Sequence, residues 1–294
     1  MATNTSLSII IASYNTKDLL SKTLFSLTDA IKQVKGHVEV IVVDNHSTDG
    51  SVEYISKEYP AISIKSLDEN KGFSYANNVG IKQATGKYIL LLNSDVIVES
   101  NTLQTMLEYM ESHEDVGVAT CKLVFPNGDM DPACHRGFPT PWAALTYFSK
   151  LSRVFPRVPF FAGYHLTYKD PSTVHEIDTP SGAFYLIRRE VIDSVGILDE
   201  DYFFYAEDID WSYRIKQKGW KIMYVPQASA IHLKKQSGRN SSDEESKKRS
   251  TESFYDTMKI FYTKHYMNKY PKIVTWLMFV GIDIVKLLAL RRLK

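Results

Sequence analysis

The first half of the chain alternates short apolar runs with amphipathic stretches. The apolar runs are rich in β-branched residues and too short for helices, which favours buried strands, whereas the amphipathic stretches repeat with the helical period. The predicted strands are residues 7–12, 38–43, 62–64 and 88–92, and the predicted helices are residues 17–34, 49–58 and 74–84. This alternation predicts an α/β fold with a mostly parallel sheet flanked by helices.

Polar residues follow each predicted strand. Because ligands of such sheets bind beyond the carboxyl ends of the strands, these segments are where we expect the chemistry. They contain Ser13, Tyr14 and Asn15, then Asp44 and Asn45, then residues 68–73, and finally Asn93, Ser94 and Asp95.

The second half of the chain is less regular. Residues 131–176 carry several prolines among aromatic residues and predict an irregular insertion or lid. Beyond it, strands are predicted at residues 183–187, 221–225 and 228–232, helices at 189–195, 207–218 and 250–266, and a polar loop at 234–248. We therefore predict a catalytic domain over residues 1–249 and a C-terminal helical region over residues 250–294.

Composition narrows the classes of function. With 35 basic and 34 acidic residues, the net charge of +1 argues against general nucleic-acid binding. Cys121 and Cys134 are too few for a disulfide framework and lack a metal-ligand spacing, which favours a reducing compartment. Residues 1–6 lack the basic start of a signal peptide, so we expect a cytoplasmic location.

Acidic residues and one histidine at predicted element ends are candidates for chemistry. The candidates are Asp44 and Asp95 after strands, the acidic helix start at residues 207–210, and His232 at a strand end. One carboxylate, one imidazole and a nucleotide diphosphate could together hold Mn²⁺ or Mg²⁺. Such a cation would neutralise charge on a leaving diphosphate. Separately, a carboxylate near the acceptor hydroxyl could remove its proton as a general base.

Each of these residues also has a structural alternative. A lone aspartate after a strand is more often a helix cap or a turn residue, and a lone His232 would more often be structural. Asp210 and Arg214 are four residues apart on a predicted helix, so we expect them to pair. Neither the dinucleotide-binding glycine motif nor the P-loop motif occurs in the sequence.

Taken together, the strand-end stretches resemble family 2 glycosyltransferases of the GT-A fold, in particular the rhamnosyltransferase-like branch. The resemblance runs in order over residues 6–237. Residues 8–15 resemble the first strand and nucleotide loop of that family, and residues 44–51 resemble its stretch D-N-x-S-x-D-G-S. Residues 70–80 resemble its stretch N-x-G-F-x-x-x-N-x-x-G, and residues 86–95 resemble the strand that leads into its D-x-D motif. Residues 181–184 resemble its acceptor loop, and residues 205–214 resemble its E-D motif.

The resemblance implies a role for each matching residue. Asp95 and His232 would ligate the metal, Asp208 would be the catalytic base, and Glu207 would position the acceptor. Gly182 would let the chain pass close to the donor sugar, where a side chain would clash. The residues implied in nucleotide-sugar binding are Ser13, Tyr14, Asn15, Asp44, Lys71, Gly72, Asn77, Asn93, Ser94, Asp95 and Gly182.

One departure from the family pattern is Asn93, which replaces the first acidic residue of D-x-D. Asparagine accepts a hydrogen bond but adds no charge, so metal binding would rest on Asp95. The rhamnosyltransferase-like branch resembles this pattern, which favours a dTDP-sugar donor. The resemblance also implies single displacement with inversion through an oxocarbenium-like transition state.

The sequence therefore predicts an inverting, metal-dependent glycosyltransferase. The first choice of donor is dTDP-rhamnose, and the acceptor would be a cell-surface polysaccharide or a lipid-linked glycan. The alternatives are a family 2 enzyme with a UDP-hexose donor and a non-catalytic nucleotide-sugar-binding scaffold. An acidic residue at position 208 argues against the scaffold, which would need no base.

The apolar tail, residues 273–290, allows two interpretations. Lys272, Thr275, Asp283 and Lys286 form one polar stripe, and charges at the last two positions would be costly in the middle of a bilayer. The tail is either an amphipathic helix packed on the catalytic domain or an interfacial helix on a membrane. The basic residues that would help it bind a membrane are Lys286, Arg291, Arg292 and Lys294.

Overall fold

A single mixed β-sheet organises the chain. The computed structural model describes residues 5–233 and 244–293. The strands are β1 (Thr5–Ser13), β2 (His37–Asp44), β3 (Ser63–Ser66), β4 (Tyr88–Leu92), β5 (Val96–Val98), β6 (Val116–Val124), β7 (His175–Glu176), β8 (Phe184–Arg188) and β9 (Lys221–His232). They lie in the order β3-β2-β1-β4-β8-β6-β9-β5, with β7 paired to β9. Pairing is parallel from β3 to β4, antiparallel on both edges of β8, and parallel again between β6 and β9.

Helices flank this sheet, as the sequence predicts. They are α1 (Lys17–Lys32), α2 (Ser51–Glu58), α3 (Phe73–Gln83), α4 (Thr102–Ser112), α5 (Pro141–Phe148), α6 (Leu151–Val154), α7 (Pro159–Ala162), α8 (Arg189–Val195), α9 (Glu207–Gln217), α10 (Glu244–His265) and α11 (Lys272–Arg291). Helix α3 packs on β1 and β2, and α1 packs on β5. The fully buried apolar residues of β1, β2 and β4 form the centre of the core.

The prediction from sequence left out β5, α4 and β6 and divided β9 in two. Residues 221–225 and 228–232 belong to one strand, whose pairing with β6 shifts register between Cys121 and Lys122. Pro226, which has no N–H to donate to the ladder, lies where the register shifts. The proline that indicates a break in the sequence therefore marks a bulge in a continuous strand.

The predicted insertion, residues 131–176, contains short helices as well as irregular backbone. A 3₁₀ helix spans Pro132–Cys134, and α5, α6 and α7 follow it. Proline lies in the first turn of α5 and of α7, where a missing N–H breaks no helical hydrogen bond. Several prolines that indicate loop in the sequence therefore begin helices.

The predicted loop 234–248 is only partly described. Residues 234–243 lie outside the described residues, whereas residues 244–248 are helical and begin α10. Helix α10 also runs through residue 249, where the sequence places the domain boundary.

An aromatic cluster fastens α10 to the sheet domain. It joins α9 and the loop before it to α10 through Tyr202, Ile209, Tyr213, Phe261, Tyr262 and Tyr266. Asp210 forms the predicted ion pair with Arg214 at 2.8 Å, and it also accepts a hydrogen bond from Nε2 of His265 at 2.7 Å. Helix α10 is therefore packed on the predicted catalytic domain.

Helix α11 turns its polar stripe towards α10. Asp283 pairs with Lys259 at 2.5 Å, and Lys286 pairs with Asp256 at 2.7 Å. By length and composition, α11 is the one helix of the described residues that could cross a membrane, and only 6% of its apolar window is buried. Asp283 and Lys286 thus face α10, and seven large apolar residues of α11 are exposed.

Gly72 provides a test of this fold. Its φ of +91° and ψ of 172° lie in a region open almost only to glycine, and an added Cβ would come 2.5 Å from the carbonyl oxygen of Phe203. We expect Gly72→Ala to lower the free energy of unfolding by about 2–4 kcal/mol, the sum of backbone strain and steric clash. Urea unfolding followed by circular dichroism measures the change.

Gly128→Ala is the matched control. Gly128 also has a positive φ, +87°, but nothing lies within 4 Å of an added Cβ. Its substitution should cost only about 1–2 kcal/mol of backbone strain. Equal losses for the two variants would contradict the close approach of Gly72 to Phe203.

Candidate active site

The loops beyond β1 and β2 form the first wall of the site. The backbone N–H of Asn45 donates to the carbonyl of Ser13 at 2.8 Å, and the Oδ1 atom of Asn15 accepts from the N–H of Thr48 at 2.8 Å. Asp44 accepts the N–H of Ser47 through Oδ2 at 2.9 Å. Its other oxygen, Oδ1, is buried and has no hydrogen-bond partner among the described residues. One carboxylate oxygen at this strand end is therefore available to a ligand.

Asn45 ties the second wall, residues 70–72, to the first. Its Oδ1 atom accepts the N–H of Lys71 at 3.0 Å, and its amide donates to the Oδ1 atom of Asn70 at 2.9 Å. Lys71 and Gly72 are thus brought beside the end of β2. Asn77 differs, because it is buried in α3 and donates to the carbonyl of Phe73 in its own helix at 2.9 Å.

The end of β4 is linked to both halves of the site. Thr16 links the first loop to the end of β4. Its hydroxyl lies 2.9 Å from the Ser13 hydroxyl and donates to the Ser94 hydroxyl at 3.0 Å. On the other side, the N–H of Asn93 donates to the carbonyl of Ala183 at 3.1 Å. The Oδ1 atom of Asn93 is a second buried oxygen without a partner in the described part of the chain. Tyr14, in the first loop, is 44% exposed.

Asp95 and His232 come together with a third residue that the sequence did not indicate. Pairing of Val96 with His232 in the β5–β9 ladder places Oδ1 of Asp95 3.3 Å from Nε2 of His232. Nδ1 of His232 lies 2.8 Å from Oδ2 of the fully buried Asp131. Burial alone would lower the pKa of His232, but hydrogen bonds to Asp131 and Asp95 raise it to about 9.

This group fits the divalent cation that the resemblance implies. Two ligand atoms each about 2.1 Å from one ion lie about 3.0–3.4 Å apart, which matches the spacing between Asp95 and His232. Asp131 would then hold the second ring nitrogen, as carboxylates commonly do for metal-binding histidines. Among the described residues, no group of three or more His, Cys, Asp or Glu is suited to a metal.

The acidic pair at the start of α9 is fixed by a buried arginine. Oδ2 of Asp208 accepts from Nη2 of Arg136 at 2.6 Å and from the N–H of Gly182 at 3.1 Å. The same arginine nitrogen donates to the carbonyl of Pro180 at 2.6 Å. Oδ1 of Asp208 accepts the N–H of Ile209 at 2.8 Å. Asp208 is thus held in one orientation without a ligand.

Glu207 has a different environment from its neighbour. Burial and the adjacent charge of Asp208 raise the pKa of Glu207 to about 8. Its Oε2 atom is buried and has no partner within the described ranges. Two adjacent carboxyl groups with different environments commonly have different roles in a catalytic site.

Backbone strain marks the approach to this pair. Tyr205 and Ala206 have φ values of +78° and +65°, which side chains with a Cβ rarely adopt. Such conformations cluster at functional sites. A Cβ added to Gly182 would lie 3.7 Å from Oε1 of Glu207, so Gly182 lines the same space. The close approach of Gly182 to a donor sugar, which the resemblance implies, stays a prediction.

Asp131 and Arg136 are the functional candidates that sequence reasoning missed. Asp131 follows β6, a strand that the hydrophobic pattern of residues 116–124 could have revealed. Arg136 lies 72 residues before Asp208 in the chain, and no local pattern relates the two. Both belong to one segment, residues 131–136, which we call the bridging segment.

Comparison with known proteins gives the family. The model of glycosyl transferase family 2 matches residues 8–196. The N-acetylglucosaminyl-diphospho-decaprenol L-rhamnosyltransferase of Mycobacterium tuberculosis is 27% identical over 239 residues, which cover 78% of this chain and 76% of that protein. The rhamnosyltransferase WbbL of Escherichia coli K12 is 28% identical over 234 residues, which cover 76% of this chain and 82% of that protein.

A solved structure supports the predicted fold. The mannosyltransferase PcManGT from Pyrobaculum calidifontis, in complex with GDP-Man and Mn²⁺, matches with a TM-score of 0.58 at 16% identity. The match covers 99% of this chain and 74% of that one. The fold is the GT-A fold, as predicted. Because the family model spans more than half of a chain with this fold, the chain belongs to glycosyl transferase family 2.

Proposed function

We propose that the protein is an inverting, metal-dependent glycosyltransferase that transfers L-rhamnose from dTDP-rhamnose to a glycan acceptor. One observation carries the proposal. Asn93, next to the Asp95–His232 pair, is hydrogen-bonded to Ala183, whose neighbour Gly182 is bonded to Asp208. The pair proposed to bind the cation and the fixed carboxylate of Asp208 therefore lie on the two sides of one strand pairing. The rhamnosyltransferases related to this chain support the choice of sugar.

The donor half of the proposed site contains the loops beyond β1, β2 and β4. The free oxygen of Asp44 would accept a hydrogen bond from the base or ribose, and Asn93 would face the diphosphate. Mn²⁺ or Mg²⁺, held by Asp95 and His232, would neutralise charge on the leaving diphosphate. Asp131 keeps the His232 ring in a fixed orientation for that purpose.

Asp208 would act as the base for the acceptor. The acceptor oxygen bonds to the anomeric carbon as the bond to the diphosphate breaks, and the hydroxyl proton passes to Asp208. Arg136 and Gly182 donate to both lone pairs of Oδ2, but Oδ1 accepts only the N–H of Ile209 and can still accept from a hydroxyl. A single displacement inverts the anomeric centre. Protonated Glu207 would donate a hydrogen bond that positions the acceptor.

The acceptor in this proposal is a cell-surface polysaccharide or a lipid-linked glycan, and the enzyme acts in the cytoplasm at the inner face of the membrane. The outward apolar side of α11 supports this location. Because Asp283 and Lys286 are paired with α10, we propose that α11 lies on the membrane rather than spanning it.

A donor screen tests the proposal. Purified protein is incubated with dTDP-rhamnose, UDP-glucose, UDP-galactose, UDP-N-acetylglucosamine or GDP-mannose, with Mn²⁺, Mg²⁺ or EDTA, and nucleotide release is measured. We expect slow hydrolysis of dTDP-rhamnose that requires metal. Asp95→Ala should lower its rate by on the order of 100-fold, because charge stabilisation of several kcal/mol is lost with the cation.

Asp129→Ala, which removes an exposed carboxylate from a nearby turn, is the control and should leave the rate unchanged. If only a UDP-sugar were turned over, that sugar would replace dTDP-rhamnose as the assigned donor, and the proposed mechanism would stand. Lack of binding and turnover with every donor in the presence of metal would contradict the proposed function.

The acidic pair gives a second prediction. Asp208→Asn should lower kcat by roughly 10²–10⁴-fold while dTDP binding persists, because a positioned base contributes about that factor. Glu207 keeps its proton below its pKa of about 8 and loses it above. Wild-type activity should therefore fall as pH rises through about 8. Glu207→Gln cannot ionise, so it should retain most activity and lack this fall.

The rates of the wild type and both variants are measured between pH 6 and pH 10, and dTDP binding by calorimetry tests that each protein is folded. These rates show which carboxyl group is the base and which positions the acceptor. If Glu207→Gln abolished turnover while Asp208→Asn retained it, Glu207 would be the base and the roles of the two carboxyl groups would be reversed.

A further inference from the structure

Exposed large apolar side chains concentrate in two parts of the described chain. One is the outward side of α11. The other, which we call the insertion surface, spans α5 to α7. It consists of Trp142, Leu145, Tyr147, Phe148, Val154, Phe155, Val158 and Phe160, each exposed by 37% to 67%. Folded monomers rarely expose so many large apolar side chains together, so this surface points to a binding partner.

The charge around the insertion surface is one-sided. Residues 132–169 contain no aspartate or glutamate, although the chain has 34 of them among 294 residues. Lys150, Arg153 and Arg157 lie among the apolar residues and are exposed. Aromatic and aliphatic side chains interleaved with basic ones, without acidic residues, suit the headgroup region of an anionic bilayer.

The insertion surface is built on a braced platform. The indole N–H of Trp142 donates to the carbonyl of Phe160 at 2.7 Å, and the two rings lie 4.7 Å apart. Phe155 packs on Phe161 at 4.9 Å. These contacts join α5, α6 and α7, so the exposed side chains are presented together on a defined surface.

This platform is connected to the catalytic carboxylate. Gly137, which follows Arg136, donates its N–H to the carbonyl of Tyr164 at 2.8 Å, and the Tyr164 hydroxyl interacts with the Arg136 guanidinium. Phe138 packs on Tyr213 at 5.0 Å, within the aromatic cluster that also contacts Met278 and Phe279 of α11. The insertion surface and α11 therefore extend from one cluster beside Asp208.

We infer that the insertion surface docks on an anionic lipid bilayer and brings the acceptor end of the site to a lipid-linked acceptor. Lipid binding follows from the apolar and basic side chains and does not depend on the reaction. Delivery of a lipid-linked acceptor to Asp208 rests on the proposed function.

Vesicle co-sedimentation of the full chain tests the inference. The vesicles contain phosphatidylcholine alone or an equal mixture with phosphatidylglycerol. The wild type should bind the mixed vesicles more tightly. Val154→Ser/Phe160→Ser should lower the partition coefficient by roughly tenfold or more, because two inserted side chains are lost. Arg153→Glu/Arg157→Glu should remove most of the preference for the anionic vesicles.

Phe25→Ser is the matched control. Phe25 lies on α1, outside both apolar surfaces, and is 72% exposed. Its substitution should leave vesicle binding unchanged, and donor hydrolysis should be the same in all these variants. Failure of donor hydrolysis would thus count against the proposed function alone. Unchanged vesicle binding by both double variants would overturn the inference. So would loss of self-association by Val154→Ser/Phe160→Ser without loss of vesicle binding, since the surface would then join two copies of the chain.

Discussion

The buried ion pair between Arg136 and Asp208 is the interaction on which the site depends. Both side chains are about nine-tenths buried, and neither charge could remain there without the other. The pair fastens the bridging segment to α9. At its other end the same segment supplies Asp131, which holds His232 beside Asp95. One short piece of chain therefore orients both the proposed base and the proposed metal ligands, so that little reorganisation is needed when substrates bind.

The sheet determines where these groups meet. Parallel strands β1, β2 and β4 bring polar loops to one edge, and the antiparallel pairing of β4 with β8 places residues 181–183 next to the end of β4. Strained residues then lead into α9, where two adjacent carboxyl groups have unlike surroundings. Beyond Arg136 the chain continues into the helices that carry the insertion surface. The bridging segment, which orients the proposed catalytic groups, is thus followed directly in the chain by the segment proposed to contact the membrane.

Much of the fold could be predicted because it is encoded locally. The period of the apolar residues located the strands and helices up to residue 92 to within a few residues, and the ends of those strands indicated where polar residues gather, whereas β5, α4 and β6 were left out. The roles of Asp95, His232 and Asp208 came from the resemblance and remain predictions. Arg136 could not be predicted, since its partner is 72 residues away and a single arginine has no periodic pattern. Pro226 and the prolines of the insertion led to wrong predictions of secondary structure. Proline occurs at strand breaks, at bulges and at helix starts, and the sequence alone does not tell these positions apart.

A double-mutant cycle on Arg136 and Asp208 tests the central claim, that this ion pair fixes the carboxylate proposed as the base. Free energies of unfolding in urea are measured for the wild type, Arg136→Met, Asp208→Asn and the double variant. We expect Arg136→Met alone to cost about 3–5 kcal/mol, because it leaves a buried charge unpaired. The double variant should be less destabilised than the sum of the single variants, by about 1–3 kcal/mol. Additive effects would contradict the claim.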